Sequence, residues 1–203
     1  MSKPRPIGAI LAGGRAVRLG GDKARAELAG RPLIAWPLAA LAAELEEVAV
    51  VAKAGRSLPE LPALKVAFAP GSRARRLRLW IEPAEPQHPR AGIVHALERA
   101  DGRPVIVCAG DMPLVTPELV RRLADAAGPA VVFRAGGRLQ PLLARYEPAL
   151  LPRLLAAEPD APLTEVIAGL APRVLEAPDV RPFFNVNTPE DLAAAAQFLS
   201  RDS

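Results

Sequence analysis

The chain has 203 residues, 50% apolar and 24% charged, which suits a globular unit with a substantial core. A net charge of +4, carried by 22 arginines and 4 lysines scattered along the sequence, does not form the massed basic segment expected of a nucleic-acid binder. One cysteine excludes an internal disulfide, two isolated histidines give no zinc pattern, and no leader or membrane-length apolar run is visible, so a cytoplasmic protein without nucleic-acid or membrane partners is expected.

Strand-like apolar runs fall at 7–11, 47–52, 64–68, 77–81, 104–108, 130–133, 142–146 and 174–176. Helical patterns alternate with them at 32–45, 91–100, 117–126, 148–157, 163–169 and 189–199. This alternation predicts an α/β domain spanning 1–203, with a mostly parallel sheet and helices on both faces. In such sheets ligands collect where the strands end, so the loops after Leu11, Ile81 and Cys108 are expected to converge on one crevice.

The first of these loops carries the strongest signal. Behind Ile7-Gly8-Ala9-Ile10-Leu11 come Ala12-Gly13-Gly14-Arg15, then Arg18-Leu19-Gly20-Gly21-Asp22-Lys23. Glycines without a Cβ let backbone N–H groups approach a ligand, and Arg15, Arg18 and Lys23 add cations suited to a triphosphate. Lys23 sits between Asp22 and Ala24, so a Walker loop is excluded, and Gly13-Gly14 lacks the dinucleotide spacing.

In the second signal, Cys108-Ala109-Gly110-Asp111-Met112-Pro113, an apolar strand ends in a glycine followed at once by a carboxylate. Asp111 there could hold Mg²⁺, which takes one or two carboxylates and completes its shell with phosphate oxygens and water. A turn or helix-capping residue would look the same. The third signal is Asn185-Val186-Asn187-Thr188-Pro189-Glu190-Asp191. Thr188 followed by Pro189 and Asp191 predicts a capped helix start. Asn185 lies too far ahead to cap, so Asn185 and Asn187 are candidates for the acceptor side or for water held on the metal. Arg73, Arg75, Arg76 and Arg78 read as a solvated loop or as an electrostatic collar for a polyphosphate. Cys108 reads as a buried small side chain; His88 and His95 read as a loop and a helix residue.

Taken in order, these motifs, with Gly30-Arg31-Pro32-Leu33, Pro89-Arg90-Ala91-Gly92 and Gln140-Pro141-Leu142, resemble the molybdenum cofactor guanylyltransferases and related nucleotidyltransferases over nearly the whole chain. The resemblance implies a three-layer Rossmann-like fold with a mixed sheet. It also implies Mg²⁺-dependent transfer of GMP from GTP to the terminal phosphate of molybdopterin, with release of pyrophosphate, and a molybdoenzyme or its chaperone as recipient. It assigns Leu11, Ala12, Gly13 and Gly14 to the nucleotide-binding turn, Lys23 to the phosphates with Arg18 beside it, Asp111 to nucleotide and metal, and Glu82 to an acidic nucleotide contact. The chain departs from the family pattern at His88-Pro89-Arg90-Ala91-Gly92 and at Ala52-Lys53-Ala54, where an asparagine is usual. These departures leave CTP, or another phosphorylated acceptor, as alternatives; a non-catalytic nucleotide-binding module is a third.

Overall fold

The computed structural model describes residues 4–12, 26–55, 58 and 71–201. Gly13, Gly14, Arg18, Lys23 and the strand expected at 64–68 lie outside the described residues.

Seven strands make the main sheet. They are β1 (Ile7–Leu11), β4 (Glu47–Lys53), β5 (Arg76–Glu82), β6 (Val105–Ala109), β7 (Ala130–Ala135), β8 (Arg138–Tyr146) and β9 (Arg173–Glu176), in the order β5-β4-β1-β6-β8-β7-β9. All pairings are parallel except those of β8, which runs antiparallel to β6 and to β7. A Gly136-Gly137 turn with positive φ at both residues joins β7 to β8, as a tight hairpin requires.

The central strands are almost wholly apolar because both faces are covered, with charges only at the two ends of β4. Every residue of β4 and β6 is buried. Ile10, Val48, Val50, Ile106 and Cys108 form one core with α1 (Ala35–Glu44) and α3 (Pro117–Asp125). Ile7, Ala9, Val51, Val105 and Val107 point the other way, toward α2 (Pro89–Arg99) and α4 (Leu151–Leu155). The architecture is three layers with a mixed, mostly parallel sheet, as expected.

Several boundaries differ from expectation for identifiable reasons. The helix expected from 32 starts at Ala35, because β2 (Glu27–Leu28) and β3 (Arg31–Pro32) pair as a small antiparallel hairpin. Ala29 and Gly30, both at positive φ, make its turn. The helix expected at 148–157 divides into a 3-10 turn, Pro148–Leu150, and α4, with a proline opening each piece. Helix α5 (Leu163–Gly169) matches the expected range. The last helix, α6 (Pro189–Arg201), begins with a reciprocal cap: Asp191 N–H donates to Thr188 Oγ1 at 3.1 Å, and Thr188 N–H donates to Asp191 Oδ2 at 2.9 Å.

The arginine collar is corrected too. Arg76 and Arg78 belong to β5, whose first residues pair with the start of β4, so they lie at the opposite end of the sheet from Asp111. Arg78 pairs with the buried Glu47. Beside them, Ser72 Oγ and Ala74 N–H both donate to Ala42 O and satisfy the end of α1. These residues therefore stabilise the base of the fold.

Gly8 allows α1 to approach the sheet: a Cβ there would meet Leu41 Cδ2 at 2.7 Å. Gly8→Val is expected to lower stability by about 2 kcal/mol in urea denaturation, an overpacking cost. An unchanged midpoint would show that α1 yields freely.

Candidate nucleotide and acceptor site

Three segments meet beyond the carboxyl ends of β1 and β6, and backbone hydrogen bonds fasten them. Ala12 N–H donates to Val51 O at 2.8 Å and Gly110 N–H to Leu11 O at 3.0 Å, so the ladders on both sides of β1 continue one residue into the loops. Only then does the chain turn away, at Asp111. The turn needs a small residue, because a Cβ on Gly110 would lie 3.2 Å from Leu11 O. A Cβ on Gly92 would lie 3.1 Å from Leu11 Cδ2, so the first turn of α2 also rests on the end of β1.

The third segment comes from the far end of the sequence. Val186 N–H donates to Asp111 O at 2.9 Å. Phe183 sets the path of this segment by packing edge-on against Phe133 of β7, with centroids 5.5 Å apart. Val186 is itself fully buried in a small core with Leu28 and Leu33 of the hairpin region and Ala195 of α6. Asn185 and Asn187 thus flank a residue bonded to Asp111. Asn185 Nδ2 donates to Phe183 O at 3.2 Å, and Asn187 N–H donates to Asp191 Oδ2 at 2.8 Å, so part of the motif serves the turn and the helix start.

Glu82 ends β5, three strand positions from β6, a lateral distance of roughly 14 Å. Its carboxylate meets Lys53, its register partner on β4, at 3.0 Å, and both side chains are only 5% exposed. Lys53 Nζ also donates to Pro86 O at 2.7 Å, which ties down the loop that follows β5. This pair bounds a cavity of about 280 Å³ with His88, Arg90 and His95. His88 is the N-cap of α2, its Nδ1 accepting from Arg90 N–H at 3.1 Å. The Arg90 guanidinium holds Glu158 O at 2.7 Å. Desolvation holds the pKa of His95 below the usual imidazole range, and Arg99 adds to that effect.

Cys108 is buried beneath this rim and its thiol is pushed far up by desolvation, so it packs as a small hydrophobe and is not a nucleophile. No described helix is long and apolar enough to cross a membrane.

Residues 8–174 match the MobA-like NTP transferase domain. The chain belongs to that family. Full-length relatives agree: it is 34% identical to the molybdenum cofactor guanylyltransferase of Cereibacter sphaeroides, covering 98% of this chain and 100% of that one. Among solved structures it is similar to the molybdopterin-guanine dinucleotide biosynthesis protein A of Archaeoglobus fulgidus, with TM-score 0.68, 25% identity and coverage of 96% and 99% of the two chains. It also shares its fold with Rv0371c of Mycobacterium tuberculosis, crystallised as a manganese complex, with TM-score 0.68, 17% identity and coverage of 97% and 100%. This MobA-like chain is a nucleotidyltransferase, which removes the non-catalytic module from consideration.

Sequence reasoning noticed Lys53 only as a departure from the family pattern. Its position at the end of an apolar run was visible; its burial and its partner were not. Lys53→Met is expected to cost about 3–5 kcal/mol by leaving the Glu82 charge buried and unpaired, whereas Lys53→Met with Glu82→Leu costs much less. Denaturation of both variants tests this, and additive losses would contradict the pairing.

The lowered pKa of His95 fixes a sign for pH. A histidine held neutral in the fold stabilises the protein above its unfolded value, 6.5, and that stability is lost as pH falls from there toward the folded value. Between pH 7 and pH 5.5 the wild type is expected to lose more stability than His95→Gln; parallel curves would contradict it.

Proposed function

We propose that this enzyme transfers GMP from GTP to the terminal phosphate of molybdopterin or its metal-loaded form, with Mg²⁺, releasing pyrophosphate. The hydrogen bond from Val186 to the Asp111 carbonyl carries the reading. It supports a site in which Asp111 lies between the end of β1, at Leu11 and Ala12, and the Asn185-Val186-Asn187 segment. That relatives are molybdenum cofactor guanylyltransferases supports GTP and the pterin acceptor.

The described residues fit the ion. Among them no group of three or more His, Cys, Asp and Glu side chains is gathered to hold a metal. A single hard carboxylate on a strand end suits a cation that arrives with the triphosphate and keeps phosphate and water ligands. Mg²⁺, when bound, neutralises charge on the phosphates and polarises the α-phosphorus. Asp111 would be the protein's ligand to that ion and would through it hold the phosphates in register with the acceptor. Lys23 and Arg18, by the sequence assignment, stabilise charge on the leaving pyrophosphate. An oxygen of the acceptor's terminal phosphate forms the new bond to the α-phosphorus as the bond to the β-phosphate breaks. That oxygen is already ionised, so no general base is needed. Alignment of the two phosphates supplies roughly 7–11 kcal/mol of the barrier.

The setting proposed is cytoplasmic, with one catalytic domain that passes its product to a molybdoenzyme or its chaperone. A second reading keeps the transfer but changes the base to that of CTP, or changes the phosphorylated acceptor. Lys53 and Arg90, where the chain departs from the family pattern, favour it, since they are engaged with Glu82 and with Glu158 O.

Pyrophosphate release with GTP, molybdopterin and Mg²⁺ is the direct test, run beside ATP, CTP and UTP; no release with GTP would overturn the main reading. Asp111→Asn is expected to lower kcat about 10²–10³-fold, in line with the loss of a charge-stabilising group. Turnover unchanged at saturating Mg²⁺ would remove Asp111 from the chemistry. Lys23→Met should weaken GTP binding more than GDP binding, and equal losses in a titration would argue against contact with the phosphate tail.

A further inference from the structure

The start of α6 carries one hydrogen bond more than a cap needs. A capping box satisfies two amides. Thr188 Oγ1 accepts from Asp191 N–H at 3.1 Å, and Asp191 Oδ2 accepts from Thr188 N–H at 2.9 Å. The same Oδ2 also accepts from Asn187 N–H at 2.8 Å. Asn187 precedes the cap and lies outside α6, so its amide is not one of the first helical N–H groups that lack a partner within the helix. This third bond closes no turn of the helix. It fixes the path by which the chain enters.

One residue upstream, that path reaches the rim. Val186 N–H donates to Asp111 O at 2.9 Å. Three successive amides, those of Val186, Asn187 and Thr188, are thus held by the Asp111 carbonyl and one carboxylate oxygen of Asp191. The Val186 side chain packs with Ala195, which stands one turn of α6 beyond Asp191. The helix therefore holds this segment with an apolar contact and a carboxylate on neighbouring turns of one face. Asp111 is tied to the sheet by the bond from Gly110 N–H to Leu11 O, and to the C-terminal segment by the bond from Val186. Its carbonyl and its carboxylate share one Cα, so a displacement of Val186 that draws the carbonyl with it also moves the mount of the carboxylate.

We propose that Asp191 is a positioning residue, whose carboxylate clamps the entry to α6 and, through the Val186 bond, holds Asp111 where its own carboxylate acts. This rests on the reading above that Asp111 serves the transfer.

The test compares Asp191→Ala with Thr188→Ala. Each removes half of the capping box, and each is expected to lower the melting midpoint by about 2–4 °C. Only Asp191→Ala releases Asn187 N–H. Amide exchange at Val186, followed by NMR, is expected to quicken about tenfold in Asp191→Ala and to keep the wild-type rate in Thr188→Ala. At saturating GTP, molybdopterin and Mg²⁺, Asp191→Ala is expected to lower kcat about tenfold, with Thr188→Ala unchanged. Asp191→Asn, which keeps an acceptor oxygen, should restore most of the loss. In an Asp111→Asn background, Asp191→Ala should lower kcat no further, because the two residues act as a unit. Unchanged exchange at Val186 in Asp191→Ala, an equal loss of kcat in both single variants, or additive losses with Asp111→Asn would each overturn the assignment. If the wild type releases no pyrophosphate from GTP and molybdopterin, the reading of the reaction fails instead, and faster exchange in Asp191→Ala alone still supports the clamp.

Discussion

Everything at the rim depends on backbone hydrogen bonding that outlasts the strands. In a parallel sheet the ladder normally stops where the strands end and the chain diverges. Here Ala12 and Gly110 carry it one residue further on both sides of β1, and Val186 then bonds the carbonyl of the next residue, Asp111. Three segments separated by about a hundred and then seventy-five residues become one piece of backbone. A carboxylate mounted there is held by peptide groups, which place it more accurately than side-chain packing alone could.

The two halves of the sheet contribute differently to that rim. The parallel half, β5-β4-β1-β6, has its inner strands β4, β1 and β6 buried on both faces and presents its strand ends in a row, which suits a long ligand laid across them. The half containing β8 returns antiparallel, so the start of β8 and the hairpin turn stand beside the end of β6. This reversal brings a second set of polar side chains to the same rim without a crossover helix. The C-terminal segment then crosses this half, anchored by Phe183 on Phe133, before α6 packs on the small hairpin.

Buried charge separates the two ends of the molecule. At the base, Glu47 lies between Arg78 and Arg103, and Arg145 satisfies the carbonyls of Ala124 and Ala126. These groups stabilise strand starts and a helix end. At the rim, Lys53 and Glu82 close one flank and fasten the loop after β5 through Pro86. The same type of ion pair thus supports the frame below and limits the space for a ligand above.

The order of strands and helices was legible in the sequence because period and punctuation are local properties. The apolar runs at β1, at the middle of β4 and at β6 read as buried strands, and Thr188, Pro189 and Asp191 announce α6 without help from the rest of the chain. The glycine after β6 and the lone acid behind it stood out as a candidate site for the same reason. Tertiary structure alone decided which distant pieces touch. The sequence does not say that Val186 bonds Asp111, that Lys53 finds Glu82, or that the arginines of β5 face away from the rim. Those facts depend on strand order and register, which are set by packing across the whole sheet and leave no trace in any short window of residues.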